Sequence, residues 1–168
     1  VYTYAAEGQE TVRLGVLPSQ LRPLSEKVTA VVVREDECFE LTLNLFAEHV
    51  EDTRFCRDGD TLRIAAHRKH QRLGAISAEA EVACDPELVI GDADEGDAAC
   101  SLEMSAGPAT MRATVSGTHQ VGGAEDVAIG SGTVSALPVE VDRTVSGDLS
   151  GRMVERWWFD AATWLPVR

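Results

Sequence analysis

Short runs of alternating apolar and polar residues, separated by turns that contain glycine, occupy most of the chain. In residues 38–45, Phe39, Leu41 and Leu43 fall on one face and polar residues fall on the other. This period of two is that of a β-strand with one buried face. The same pattern predicts strands over 28–34, 38–45, 48–56, 61–66, 76–84, 99–105, 110–121, 124–129, 133–146, 152–159 and 165–168.

Helical periodicity is weak by comparison. Residues 18–26 are one candidate, although Pro18 and Pro23 interrupt them, and a short turn near 67–73 is the other. Strands at this spacing predict an all-β, mainly antiparallel fold with little helix, built as a single curved sheet or half-barrel.

Glycine and proline mark the predicted turns and irregularities. Gly122-Gly123 is predicted to be a hairpin turn between residues 110–121 and 124–129. Pro138 lies inside the long predicted strand 133–146 and indicates an edge or a bulge, because proline has no N–H to donate to a ladder.

Four cysteines at wide spacing, Cys38, Cys56, Cys84 and Cys100, form no CxxC pair and predict two disulfides in an oxidising compartment. If Cys38 lies opposite Cys56 in antiparallel strands, the same register opposes two further favourable pairs. These are Phe39 with Phe55 and Glu40 with Arg54. The alternative is four reduced, buried cysteines in a cytosolic protein.

The second predicted disulfide, Cys84–Cys100, gives a more mixed register. It opposes apolar residues on the cysteine face, but it also places Glu81 opposite Glu103, which is unfavourable. The loop between these cysteines is rich in aspartate and glutamate.

The 168 residues carry a net charge of −13, with 44% hydrophobic and 26% charged residues. These are the proportions of a globular protein, and a polyanion repels nucleic-acid backbones, so we expect no nucleic-acid partner. No apolar run approaches the roughly 18 residues of a membrane-spanning helix. Since the chain begins at Val1, we expect a leader or anchor to have been removed, and we predict an extracellular or cell-envelope location.

We expect residues 1–168 to form a single β-rich domain. A resemblance between Gly8–Gly15 and Gly123–Gly130 is also consistent with two related β-units, about 1–66 and 110–168.

Candidate chemistry is sparse. The chain has no G-x-S-x-G nucleophile motif, and in the acidic run Asp92–Asp97 the glycine stands one position too early for a calcium loop. His67 and His70 would point to opposite faces of a strand, although a helical turn would bring them together. We therefore predict no catalytic residue, no cofactor and no metal site. The basic stretch around these histidines is either a solvated edge or a docking point for an anionic partner.

The aromatic residues concentrate near the carboxyl end, in Trp157-Trp158-Phe159. On a strand the two tryptophans face opposite ways, so one is expected in the core and the other needs a cover. We predict that the concave face of the sheet offers a ligand or interface surface. Its residues would be Phe39, Leu41, Leu43, Phe55, Leu137, Val139, Val141 and one of Trp157 or Trp158. The segment 15–27, a second molecule or a ligand would have to cover it.

Residues 121–168 resemble the carboxyl-terminal part of secreted envelope β-proteins. The similarity lies in Val121-Gly122-Gly123-Ala124-Glu125-Asp126-Val127, in Gly132-Thr133-Val134-Ser135-Ala136 and in the ending Trp158-Phe159-Asp160-Ala161-Ala162-Thr163-Trp164-Leu165-Pro166-Val167-Arg168. Similar endings occur in lipoprotein-carrier-like domains, including the type that partners anti-sigma factors. The resemblance implies an open, strongly curved antiparallel sheet with an apolar concave face. The chain departs from the pattern at Trp164, where the pattern has glycine.

Together these features predict a non-enzymatic, secreted or envelope-anchored domain that binds an apolar ligand, a lipidated partner or an envelope protein. The alternative is a structural or interaction module without a ligand pocket. A hydrolase on a β-scaffold is a third hypothesis. An apolar cavity would favour the first, a filled core with an exposed patch the second, and clustered carboxylates or a Ser/His pair in a cleft the third.

Overall fold

The computed structural model describes residues 2–5, 9–12, 20–23, 26–59, 61–73, 75–84, 88–91, 95–130 and 132–168. These ranges contain strands and no helix, which confirms the predicted all-β fold. The strands are β1 (Tyr2–Ala5), β2 (Gln9–Val12), β3 (Gln20–Pro23), β4 (Lys27–Glu35), β5 (Cys38–Phe46), β6 (His49–Asp58), β7 (Thr61–Leu73), β8 (Ile76–Cys84), β9 (Leu88–Ile90), β10 (Glu95–Ala106), β11 (Ala109–Val121), β12 (Glu125–Ile129), β13 (Gly132–Gly147) and β14 (Gly151–Asp160).

Strands β1 and β4–β14 form one antiparallel sheet of twelve strands, and β2 pairs with β3 alone. Within the large sheet, most strands lie beside the strand that precedes them in the chain. Strands β11 and β14 both pair with Val139 of β13, so they lie on its two opposite edges. The sheet is therefore an open meander, as the alternating pattern predicts.

Neither candidate for a helical segment forms a helix among the described residues. Residues 67–73, the candidate for a short turn, continue β7 because they pair in register with β8, from His67 with Val82 to Leu73 with Ile76. Within the other helix candidate, 18–26, residues Gln20–Pro23 form β3 instead. In both segments, hydrogen bonds to a neighbouring strand satisfy the backbone N–H and C=O groups in place of a helix.

The predicted hairpin at Gly122-Gly123 is wrong. Strands β11 and β12 run in the same direction along β13, and residues 122–124 interrupt that line where the register changes. Pro138 lies opposite this interruption, as a proline in a bulge would, and its carbonyl accepts a hydrogen bond from Gly122 N at 2.8 Å. A Cβ atom on Gly122 would lie 2.7 Å from Cγ of Pro138, so the close approach requires glycine.

Both predicted disulfides are present, in the predicted register. Cys38 lies opposite Cys56, and the rings of Phe39 and Phe55 stack with centroids 5.0 Å apart. Arg54 also lies opposite Glu40, but its ion pair runs to Glu35 at 3.6 Å. The pairs of aromatic and cysteine residues thus fix the alignment of β5 and β6.

Glu81 lies opposite Glu103, as predicted, and arginines on the flanking strands offset the repulsion between the two carboxylates. Arg68 of β7 lies 3.9 Å from the Glu81 carboxylate, and Arg112 of β11 lies 3.0 Å from that of Glu103. The two glutamates therefore form the middle of a row across four strands, with an arginine on each side of the pair.

The sheet stays open, but it curves so that side chains from two distant parts of it pack together across the concave face. One buried cluster joins residues of β4–β7 and β9 to residues of β13, β14 and the segment after it, namely Ala30, Phe39, Leu41, Phe55, Leu62, Ile90, Val139, Val141, Phe159 and Trp164. Phe55 and Phe159 make the contact edge to face, with centroids 5.8 Å apart. We call the packing of the β4–β9 members of this cluster against the β13–Trp164 members the seam.

Side chains from the carboxyl-terminal part of the sheet cover the concave face. This cover was not among those predicted from the sequence. The carboxyl-terminal strand can fill the concave face because it carries large aromatic residues on its inner face. Of the predicted cover, residues 15–19, 24 and 25 lie outside the described residues.

The segment after β14 turns back and pairs with it, as predicted for 165–168. Asp160 N donates to the Leu165 carbonyl at 2.9 Å, and Val167 N donates to the Trp158 carbonyl at 2.8 Å. The Asp160 carboxylate accepts the N–H groups of Ala162 and Thr163. Trp164 takes the position of the pattern's glycine with φ of 60°, and its side chain is buried in the seam.

Candidate functional site

A cleft lies on the inner face beside the seam, between β6–β9 and β13–β14. Its interior space is about 40 Å³. The lining residues are Thr53, Phe55, Ile64, Ala65, Ala66, His67, Val82, Cys84, Ile90, Val139, Val141, Arg143, Glu155, Trp157 and Phe159. Most of them are apolar, and the polar ones gather toward one end of β13 and β14. The cleft thus has an apolar part and a charged part.

Glu51 on β6 is not a lining residue, but its charge acts on His67 and Glu155 of the charged part. It stands four positions before Phe55 and so shares the inner face of the sheet with it. Its carboxylate lies 2.8 Å from His49 Nε2 and 3.4 Å from Lys69 Nζ. Burial raises the pKa of this carboxyl, but the His49 hydrogen bond and the charge of Lys69 outweigh it and lower the pKa to about 2. Glu51 is therefore ionised and already well paired at neutral pH.

His67 on β7 lies next to this pair. Its Nδ1 atom lies 2.8 Å from Thr53 Oγ1 on β6. Burial lowers the pKa of His67, and the positive charge of Arg143 acts in the same direction, while Glu51 opposes it. The imidazole is consequently neutral at neutral pH, and its polarity is satisfied by the threonine hydroxyl.

Strands β13 and β14 supply Arg143 and Glu155. Their charged groups lie 3.9 Å apart, from Arg143 Nη1 to Glu155 Oε2. Burial raises the pKa of Glu155, and the Arg143 charge and a hydrogen bond from Trp157 reduce that rise without cancelling it. This ion pair is long, and the carboxyl group resists ionisation.

Arg143 is the least satisfied group of the cleft. Its side chain is 13% exposed, and its Nε atom is buried without a hydrogen-bond partner among the described residues. A guanidinium group carries five N–H donors, so a buried arginine with one distant carboxylate has donors to spare.

The residues predicted as a ligand or interface surface fall on both faces of the sheet. Phe39, Leu41, Phe55, Val139 and Val141 are buried in the seam, with Leu43 partly buried against it. Trp157 lies on the inner face, where its ring stacks against Phe159 at 6.3 Å.

Trp158 lies on the outer face instead. The guanidinium carbons of Arg156 and Arg168 lie 4.8 and 4.7 Å from its ring centroid, and its indole N–H donates to Glu125. These neighbours provide the cover that the sequence required for the second tryptophan.

The polar part of the cleft was missed by reasoning from the sequence. Glu51 and Thr53 stand at the period-two positions that lead to Phe55, and Arg143 and Glu155 stand in the same relation to Val141 and Trp157. Charged residues on a face otherwise read as buried are the signal that identifies such a site.

The histidines predicted to face opposite ways do so. His67 lines the cleft, whereas His70 lies on the outer face with its Nδ1 atom 3.5 Å from Glu79. No group of three or more residues able to hold a metal occurs in the described parts of the chain.

A neutral imidazole and a carboxyl group of raised pKa are components of an acid–base pair. The hydrolase hypothesis therefore stays a prediction, with Thr53 rather than a serine beside the histidine.

No protein-family profile, curated protein or solved structure matches the chain at a significant level. The described residues include no helix that is long and apolar enough to cross a membrane.

Proposed function

We propose that the protein is a non-enzymatic, secreted or envelope-anchored domain that binds the apolar chain of a lipid or of a lipid-bearing partner in the cleft. The observation that supports this most directly is the composition of the cleft, in which an apolar wall of Phe55, Val139 and Phe159 runs into the charged groups Arg143 and Glu155. An amphiphile has the same division between chain and headgroup.

A space of about 40 Å³ holds only a few water molecules, whereas ligand sites are typically about 300–1,000 Å³. The cleft must widen to admit a chain. The seam can open without breaking backbone hydrogen bonds, because β6 and β7 share no ladder with β13 or β14. Among the described residues, side-chain contacts alone join the two walls of the seam.

The small volume is also the observation that favours the second candidate, an interaction module without a ligand pocket. Such a module would use its outer surface, and the interior would stay closed. The two functions predict different results for the fluorescence of Trp157, which should change on addition of lipid only if the cleft binds it.

The test is tryptophan fluorescence during titration with single-chain lipids and a lipopeptide below their micelle concentrations. We expect a saturable spectral shift that is lost in Trp157→Phe and kept in Trp158→Phe, the matched variant on the outer face. Val82→Phe should block binding by filling the cleft, while Val154→Phe on the exposed part of β14 should not. Absence of any response across chain lengths would reject lipid binding and leave the interaction module.

A further inference from the structure

The charged part of the cleft contains one positive group, Arg143, that the described residues do not neutralise closely. Glu51 is committed to His49 and Lys69 at 2.8 and 3.4 Å, so it is not available to Arg143. The remaining carboxylate, Glu155, approaches Arg143 only to 3.9 Å. Arg143 is thus a buried cation with one distant counter-ion.

The orientation of Arg143 directs its charge into the cleft. Arg143 follows Val141 by two residues on β13, so both side chains project from the inner face, and both line the cleft. His67 lines the opposite wall as a neutral group and offers no compensating charge. A buried charge without a close partner is costly, and that cost is removed when an anion binds.

Resting on the proposed function, we propose that Arg143 anchors an anionic headgroup, so that the ligand is a single-chain amphiphile ending in a carboxylate or a phosphate. The planar guanidinium group donates two parallel hydrogen bonds to either oxyanion. The apolar wall at Phe55, Val139 and Phe159 then receives the chain.

A cationic headgroup fits less well. The carboxyl groups that would receive it are Glu51, already paired, and Glu155, whose burial favours the neutral form. Arg143 and Lys69 would both repel it.

The experiment compares dodecanoate, dodecyl phosphate, dodecanol and dodecylamine, which share a chain and differ in the headgroup. Binding is followed by Trp157 fluorescence in the full chain and in Arg143→Met and Arg143→Lys. Arg152→Gln is the matched control, because Arg152 pairs with Asp142 on the outer face of the same two strands and its loss changes the net charge equally.

We expect an anion to bind roughly tenfold or more tighter than dodecanol in the unchanged protein. This preference should vanish in Arg143→Met, persist in part in Arg143→Lys and be unaffected in Arg152→Gln, with dodecanol affinity similar throughout. Whichever of the two anions binds tighter identifies the headgroup. Circular dichroism of each variant checks that the sheet is intact, and Arg143→Lys keeps the test decisive if Arg143→Met does not fold.

The outcomes separate the two proposals. Equal binding of dodecanol and the anions, or a preference for dodecylamine, would overturn the anionic anchor and leave lipid binding in place. A preference for anions that survives in Arg143→Met would also overturn the role of this residue. Failure of all four compounds to bind would overturn the proposed function itself.

Discussion

Phe55 of β6 and Phe159 of β14 meet edge to face at 5.8 Å, although their strands are far apart in the order of the sheet. Phe55 also stacks on Phe39 at 5.0 Å, and Phe159 on Trp157 at 6.3 Å. A run of four rings therefore crosses the concave face from β5 to β14. This aromatic contact is the centre of the seam and packs two distant parts of the open sheet against each other.

Removing one ring from this run should destabilise the protein strongly. Phe159 is 1% exposed, and Phe159→Ala is expected to lower the free energy of unfolding by about 3–5 kcal/mol, since a cavity replaces a fully buried ring. Urea denaturation measures the change. Val154→Ala, at a 56% exposed position of the same strand, should change it by no more than about 0.5 kcal/mol.

The two disulfides should differ in their effect on the cleft. Each closes a short loop, with separations of 18 and 16 residues, and its removal should cost about 3 kcal/mol of stability. Cys84 lines the cleft, whereas Cys38 and Cys56 face away from Phe39 and Phe55. The double variant Cys84→Ala/Cys100→Ala should therefore alter lipid binding as well as stability.

The matched variant Cys38→Ala/Cys56→Ala should lower stability alone. Fluorescence titration under conditions where both variants are folded distinguishes the two. Equal lipid affinity in both would contradict a role for the inner disulfide in shaping the cleft.

Trp164 combines a costly backbone with a favourable side chain. A left-handed conformation costs a non-glycine residue roughly 1–2 kcal/mol, while loss of a buried aromatic side chain costs about 3–5 kcal/mol. With φ of 60° and 5% exposure, Trp164→Gly should therefore be destabilising by about 2 kcal/mol net. Trp164→Ala keeps the strain and loses the ring, so its melting temperature should fall below that of Trp164→Gly.

Acid should weaken the protein through Glu51. Its folded pKa of about 2 lies below the ordinary 4.5, so the stability it contributes is present above pH 4.5 and is lost as the pH falls toward 2. The shift corresponds to roughly 3 kcal/mol. Urea denaturation at several pH values should show a shallower acid loss in Glu51→Gln than in the unchanged protein.

The contribution of Glu155 to stability should depend on pH in the opposite direction. Burial raises its folded pKa, so the stability associated with it is present at low pH and is lost as the pH rises through that raised value. Glu155→Gln is therefore expected to be more stable than the unchanged protein at neutral pH. The difference should shrink in acid, where both side chains are neutral. A destabilised Glu155→Gln at neutral pH would show that the Arg143 pair outweighs burial.

The parts of the fold that follow from local pattern were accessible from the sequence. The alternation of Phe39, Leu41 and Leu43 and the coincidence of Cys38–Cys56 with Phe39–Phe55 predict both strands and register, because a slip of one residue would turn every side chain to the other face. The strands Tyr2–Ala5, Gln9–Val12 and Leu88–Ile90 were missed, since runs of three or four residues carry little periodicity.

The site was less accessible because it forms between distant parts of the chain. Nothing in the sequence near His67 indicates that Arg143 and Glu155 will line the same cleft, because only the curvature of the sheet brings them together. Similarly, Gly122-Gly123 has the composition of a hairpin turn, and only pairing with β13 shows that it interrupts a continuous strand.

The contrast between the local ladders and the distant seam has a kinetic consequence. Neighbouring strands of the meander close over short turns, so hairpins can form one after another with little loop entropy. The strands of Phe55 and Phe159 are separated by most of the meander, so their contact can form only after almost every hairpin between them has formed. We therefore expect the seam to be the last contact made during folding, and its mutations to accelerate unfolding while leaving the folding rate nearly unchanged.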